Sequence, residues 1–293
     1  MTGTEIRADA AGTIQLGGDL TVNRLGYGAM RITGKGIWGP PEDREGAIGT
    51  LRRVVELGVN FIDTADSYGP HVSEELIGEA LAPYASGVVV ATKGGWERVG
   101  PGQWIHNASP NHLREAVEGS LRRLRLDRID VYQLHIPDPA VSFDASMEAL
   151  AEMREQGKIR HVGLSNVTRE HINRARKIVP IVSVQNRYSF ADREWDYVLD
   201  YCGNNGIAFL PWAPLSGGRK AHEVLQQVAG KLNATPQQVG LAWLLKRSQM
   251  MLPIPGTSSV EHLEENVAAA ALDLPDEDFQ LLSEVQPAPV SYR

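Results

Sequence analysis

The sequence predicts an α/β fold, a (β/α)8 barrel with an N-terminal β-hairpin, forming one domain over residues 1–293. Three observations predict it. Eight short apolar runs alternate with segments of helical periodicity; the runs are nearly continuous in apolar character, as in strands buried on both faces; and glycine and proline punctuate the junctions. Residues 1–12 are small and polar and read as a frayed end. Residues 13–22 alternate around Gly17-Gly18 and read as the hairpin. The strands follow at residues 24–28, 59–62, 88–91, 129–134, 161–164, 181–184, 208–210 and 251–254. The helices are placed at 43–57, 72–81, 111–124, 143–155, 168–178, 193–203, 236–246 and 260–270. Ser109-Pro110 and Thr235-Pro236 put a capping residue before a proline in the first helical turn, and Gly58 and Gly157 stand where helices end. An open doubly wound sheet is the rival. It needs a Gly-x-Gly-x-x-Gly turn running straight into a helix, whereas Gly26-Tyr27-Gly28-Ala29-Met30-Arg31 lacks the third glycine and leads into a long irregular loop.

Composition narrows the function classes. The chain is 42% hydrophobic and 22% charged, with 36 acidic against 29 basic side chains, so it carries no basic footprint for nucleic acid or an anionic membrane surface. Its one cysteine, Cys202, excludes an internal disulfide and a cysteine-rich zinc site, and it reads as buried filler in a reducing, cytoplasmic setting. The N-terminus has no signal pattern, and no run of 18 apolar residues occurs.

In a barrel of this kind chemistry sits at the C-terminal ends of the strands, so the site residues follow from the fold. Strand 2 runs out through Asp63 to Tyr68, strand 3 ends at Lys93, strand 4 at His135, strand 5 at Ser165-Asn166, strand 6 at Gln185, strand 7 at Trp212 and strand 8 at Pro255-Gly256-Thr257. A phenol titrates near pH 10, and a nearby ammonium favours its ionised form; Lys93 can tune Tyr68, Asp63 can hold Lys93 charged, and His135 can hydrogen-bond a substrate oxygen. Such a set protonates a carbonyl while another group supplies hydride, so a cofactor is required. Ser165, Asn166 and Gln185 suit a carboxamide, Trp212 offers a flat face for a nicotinamide ring, and the segment Ile254-Pro255-Gly256-Thr257-Ser258-Ser259 leads into a helix where barrels commonly bind phosphate. Trp38 and Trp96, with Met30, fall on the same face and read as pocket walls. Trp104, Trp195 and Trp243 read as packing, and Asp66 as a loop cap.

The stretches Leu25-Gly26-Tyr27-Gly28, Phe61-Ile62-Asp63-Thr64-Ala65-Asp66-Ser67-Tyr68-Gly69, Ala91-Thr92-Lys93, Gln133-Leu134-His135, Gly163-Leu164-Ser165-Asn166, Val184-Gln185-Asn186, Pro214-Leu215 and Ile254-Pro255-Gly256 with Glu265-Asn266 resemble, in order, those of the aldo-keto reductases. The resemblance implies Tyr68 as proton donor, Lys93 and Asp63 as its tuners and His135 as the residue orienting the substrate. It implies that Ser165, Asn166 and Gln185 hold the carboxamide, that Trp212 stacks on the nicotinamide, and that Glu265 and Asn266 meet the adenine. Ala29, Met30, Ala213, Leu215, Gly256, Thr257, Ser258 and His262 complete the implied cofactor contacts. The implied cofactor is NADPH, with NADH as the alternative, and the implied partner is a small-molecule carbonyl substrate. Residues 22–30, 39–44 and 254–260 look most like bacterial pyridoxal reductases within the family.

One departure concerns charge. Many members place basic residues after strand 8 to bind the 2′-phosphate of NADPH, and here Gly256-Thr257-Ser258-Ser259 and His262 include no Lys or Arg. Ser258 and His262 remain as donors, and Arg219-Lys220, after strand 7, could bring charge from the other side. Two other functions compete: a regulatory subunit on the same barrel, resembling potassium-channel β subunits, and a metal-dependent hydrolase using His135, His106 and His112. The second lacks the close His-x-His pair such sites use.

Overall fold

The computed structural model describes residues 6–214 and 219–285 of the chain. Thr13–Leu16 (β1) and Leu20–Asn23 (β2) form the expected hairpin, turned at Gly17 and Gly18, both at positive φ. Its buried residues Ile14, Leu16, Leu20 and Val22 pack with Phe61, Val131, Val182, Leu210 and Leu252, so the hairpin closes off one end of the interior.

The remaining strands are Tyr27–Gly28 (β3), Phe61–Asp63 (β4), Val89–Gly94 (β5), Trp96–Gly100 (β6), Gln103–His106 (β7), Ile129–Leu134 (β8), Ile159–Ser165 (β9), Ile181–Arg187 (β10) and Ala208–Trp212 (β11). Seven of them make one parallel sheet in the order β3, β4, β5, β8, β9, β10, β11, while β6 and β7 pair only with each other. The eighth run closes the ring without forming a regular strand. Phe209 N donates to Met250 O at 2.8 Å and Leu252 N to Phe209 O at 2.9 Å; on the other flank Gly26 N donates to Pro253 O at 2.9 Å and Gly28 N to Pro255 O at 3.3 Å. Pro253 and Pro255 have no N–H to give, which is why regular pairing fails where 251–254 was expected as a strand.

The helices are Arg44–Glu56 (α1), Val72–Leu81 (α2), Pro110–Leu124 (α3), Phe143–Glu155 (α4), Arg169–Ala175 (α5), Asp196–Asn204 (α6), Arg219–Leu232 (α7), Pro236–Arg247 (α8), Val260–Ala268 (α9) and Asp276–Ser283 (α10). Their starts follow the caps read from sequence. Ser109 Oγ accepts from His112 N ahead of α3, and Thr235 with Gln238 forms a capping box at α8. Gly58 and Gly157 follow α1 and α4 at φ near +77° and +76°. The expected helices are all present, and α7, α10 and the β6–β7 hairpin accompany them; residues 8–11, expected as part of a frayed end, instead form a 3-10 turn in which Ala8 is buried and donates its N–H to the Leu57 carbonyl at 2.9 Å. The hairpin turns at Pro101-Gly102 and rises from the end of β5 on the face where the strands end.

Candidate active site

Three neighbouring parallel strands, β4, β5 and β8, bring Asp63, Lys93, His135 and, through the turn after β4, Tyr68 to one end of the barrel. Lys93 is wholly buried, and its Nζ donates to Asp63 Oδ2 and to the Thr64 carbonyl, both at 2.7 Å. Asp63 Oδ1 accepts from Gln185 Nε2 at 2.9 Å and from Gln133 Nε2 at 3.3 Å. Gly163 makes this possible: it lies opposite Gln133 in the register, and a Cβ there would come within 2.9 Å of the Gln133 side chain. Burial alone would lower the Lys93 ammonium, and the Asp63 carboxylate outweighs it, so the amine is held charged above its ordinary range.

The Lys93 ammonium sits 5.2 Å from the centre of the Tyr68 ring. Tyr68 nevertheless lies above its ordinary value, because burial outweighs the ammonium. The lowering expected from Lys93 is present but outweighed, because in a sealed site desolvation of the phenolate is the larger effect. The phenol is therefore a protonated donor at neutral pH. His135 faces Tyr68 edge-on, ring centres 5.9 Å apart, and burial followed by the Lys93 charge pushes its imidazole well below the usual histidine range. It stands neutral, with Ser67 Oγ 3.4 Å from Nδ1, which leaves Nε2 free to carry the N–H toward the pocket.

Beyond His135 lies a connected set of amides. Asn166, in the left-handed conformation at φ +57°, donates from Nδ2 to the His135 carbonyl and to Ser165 Oγ, both at 3.0 Å, and its Oδ1 accepts from Trp212 Nε1 at 3.1 Å. The Trp212 indole is thus fixed edge-first with 37% of the residue open to solvent, an unusual exposure for tryptophan. Ala213 follows at φ +52°. Leu215 lies outside the described residues, as do the side chains of Arg219 and Lys220.

At the closing segment, Tyr27 Oη donates to the Thr257 carbonyl at 2.5 Å and Thr50 Oγ1 to the Ser258 carbonyl at 3.2 Å, which fixes the approach to α9. Ser259 caps α9 by accepting from His262 N. Asn266 is buried, whereas Glu265 accepts from Thr235 Oγ1 at 2.5 Å and is engaged at the cap of α8. Ala29 and Met30 stand at the start of the short turn after β3.

Trp38 and Trp96 both reach this mouth. Trp38 bridges to Gly69, next to Tyr68, and the Trp96 ring meets His135 edge-on at 6.4 Å. Arg98 binds these pieces: its guanidinium donates to the carbonyls of Ile37 and Ser67 at 2.9 and 3.0 Å and of Gly36 at 3.1 Å, and stacks 3.8 Å from the Trp104 ring. Trp104 therefore supports the mouth, while Trp243 is core and Trp195 packs beside α6. Cys202 is buried, its thiol pushed up to about 12 by burial.

Ser67, Gln133 and Arg98 were missed by the sequence reading. Gln133 had a signal, since it shares the inward face of β8 with Val131 and His135; Ser67 adjoins Tyr68; Arg98 had none. Asp66 is more than a loop cap. It is buried with Oδ1 unpartnered, and burial together with the Glu74 carboxylate holds its carboxyl well above the ordinary range. Among the described residues no His, Cys, Asp and Glu cluster could hold a metal ion, and no helix is long and apolar enough to cross a membrane.

Residues 24–287 match the Aldo/keto reductase family. The chain is 50% identical over 281 residues to the uncharacterized oxidoreductase C215.11c of Schizosaccharomyces pombe, covering 95% of this chain and 91% of that protein. It is 48% identical over 272 residues to pyridoxine 4-dehydrogenase of Escherichia coli, covering 90% and 95%. Among solved structures, an aldo/keto reductase from Klebsiella pneumoniae in complex with NADP and acetate superposes with a TM-score of 0.79 at 26% identity, covering 96% of this chain and 97% of that one.

Proposed function

This chain belongs to the aldo/keto reductase family, and from that premise we propose that its substrate is a flat heteroaromatic aldehyde, pyridoxal, reduced to pyridoxine. The reaction class is NAD(P)H-dependent reduction of an aldehyde or ketone to an alcohol. The observation that carries the substrate is the 48% identity to pyridoxine 4-dehydrogenase over 90% of the chain. Trp96 supports it, since an indole standing edge-on to His135 suits a planar ring, and Trp38 joins the same loop cluster through its bridge to Gly69. The family match from 24 to 287 supports one barrel domain, and the single buried cysteine supports a cytoplasmic setting.

The residues fit a nicotinamide cofactor. An exposed indole pinned by Asn166 offers a stacking face, and Ser165, whose Oγ accepts from Asn166, keeps its hydroxyl hydrogen for a carboxamide, whereas the Asn166 amide and Gln185 Nε2 are engaged within the protein. NADPH is the cofactor, with NADH the alternative. When bound, the reduced nicotinamide supplies hydride. The chain's own groups do the rest. His135, neutral, donates from Nε2 to the carbonyl oxygen and orients it. Tyr68 Oη gives its proton to that oxygen as negative charge develops, and the Lys93 ammonium stabilises the phenolate left behind. Asp63, held by Gln133 and Gln185, keeps Lys93 charged and in place.

The test is turnover of pyridoxal with NADPH, with the product identified as pyridoxine by chromatography. Activity on nitrobenzaldehyde without activity on pyridoxal would remove the substrate assignment and leave the reaction class. Replacing Trp96 or Trp38 with alanine should raise KM for aromatic aldehydes more than for short aliphatic ones.

A further inference from the structure

The loop into α9, where the sequence leads one to expect a phosphate, has no Lys or Arg of its own, and the structure shows why at Gly256. A Cβ on Gly256 would lie 2.6 Å from the Gly28 carbonyl oxygen, and a Cβ on Gly28 would lie 2.7 Å from the Ile254 carbonyl oxygen. β3 and the closing segment at residues 254–256 approach so closely that neither position accepts a side chain, because the obstructing atoms are backbone. Lysine or arginine at 256 is therefore excluded by packing.

Another residue reaches the same place. The point where a Gly256 Cβ would stand is 3.6 Å from Arg31 Cγ, so the Arg31 stem passes over the space that a residue-256 side chain would fill. Arg31 lies within the turn Ala29–Ile32 and is exposed. Among the described residues its guanidinium makes no ion pair or hydrogen bond, whereas nearby Arg53 is paired with Glu264 and Glu56. The opening of α9 contributes Glu261, so it supplies no competing positive charge.

Resting on the nicotinamide-dependent reading above, we infer that Arg31 is the cation that binds the 2′-phosphate of NADPH. Trp212, on β11, and Asn166, just after β9, offer the stacking face for a nicotinamide; the resemblance that puts Glu265 and Asn266 against the adenine implies that the far end of the dinucleotide, which carries the 2′-phosphate, lies toward α9, whose approach Arg31 borders. A guanidinium fork matches a phosphate geometrically and holds a dianion through charge-assisted hydrogen bonds. This is a role in cofactor choice and lies apart from the proton transfer.

The test is equilibrium binding, followed by tryptophan fluorescence, of NADPH, NADH and 2′-AMP to the wild type, Arg31→Met and Arg31→Lys. Met keeps the aliphatic stem over Gly256 and removes only the charge. We expect Arg31→Met to weaken NADPH and 2′-AMP by about 10- to 100-fold, the range of a lost charged hydrogen-bond pair, while NADH changes less than about twofold and Lys retains part of the affinity. In the wild type the NADPH-over-NADH preference should shrink with added salt, and in Arg31→Met it should be small at all salt concentrations. Unchanged NADPH binding, or equal weakening of NADPH and NADH, overturns the assignment. A wild type that binds neither dinucleotide overturns the cofactor reading itself, a separate outcome from wild-type binding that Arg31→Met leaves untouched.

Discussion

Lys93 Nζ lies 2.7 Å from Asp63 Oδ2 with both side chains closed off from solvent. A pair so enclosed is costly to break from one side. Lys93→Met leaves a buried carboxylate without its cation and should destabilise the protein by about 3–5 kcal/mol, and adding Asp63→Asn should recover much of that loss. Denaturant unfolding of the single and double variants checks it; equal destabilisation of both would show that the charges are not coupled.

The Lys93 ammonium lies over the Tyr68 ring, and Tyr68→Phe removes the transferable proton while keeping the ring. Its kcat should fall by about 10²-fold or more, the usual scale of a lost general acid, with the dissociation constant of NADPH nearly unchanged. A phenylalanine variant with near-normal kcat refutes the role.

The pH profile follows from two opposite shifts. Tyr68 is raised by burial against Lys93, so the donor stays protonated until the pH passes a value above about 10, the ordinary phenol range. His135 is lowered by burial and by Lys93, so it is neutral throughout and adds no limb near neutrality. Carbonyl reduction should run level from about pH 6 to 9, while the reverse oxidation, which needs the phenolate, should climb with pH. A half-maximal reduction rate near neutral pH in steady-state assays would contradict this.

Asp66 offers a stability test outside the reacting groups. Its carboxyl is raised by burial and by Glu74, so its contribution is full below the unfolded value of about 3.9 and is lost as pH rises through the folded value. Asp66→Asn mimics the neutral acid at every pH. The variant should be more stable than the wild type in mildly alkaline buffer, and the difference should close as the pH falls toward the unfolded value. A variant less stable at alkaline pH would mean that the carboxylate form is the one the fold uses.

The legible part of this chain is what repeats. Strand ends named Asp63, Lys93, His135, Ser165, Gln185 and Trp212 because the β/α alternation fixes where each strand stops, and Tyr68 followed from its distance beyond Asp63. What escaped lies in the connections. The β6–β7 hairpin is announced only by Pro101-Gly102, and the residues it gathers, Arg98 with Ile37 and Ser67, are distant in sequence and joined through backbone carbonyls, which any residue has. Helix α7 has an apolar stripe through Ala221, Leu225 and Val228 and was readable, but it breaks the one-strand, one-helix count. Arg31 could not be read at all, because its meaning depends on how closely Gly28 and Gly256 pass, and close passage leaves no mark in sequence except two glycines.

The proline-bearing stretch that closes the ring gives the barrel a mechanical seam. Among the described residues, four backbone bonds join residues 250–255 to their flanks, two on each side, and Pro253 and Pro255 can donate none. Breathing of the cylinder should therefore begin there, with the amides of Gly26, Gly28 and Leu252 exchanging deuterium ahead of those in β8 and β9. Gly256 follows the seam directly, so a dinucleotide lying across Arg31 and α9 would act as a clasp on the weakest joint, and cofactor binding would slow exchange at Gly26 and Gly28, residues that it need never touch.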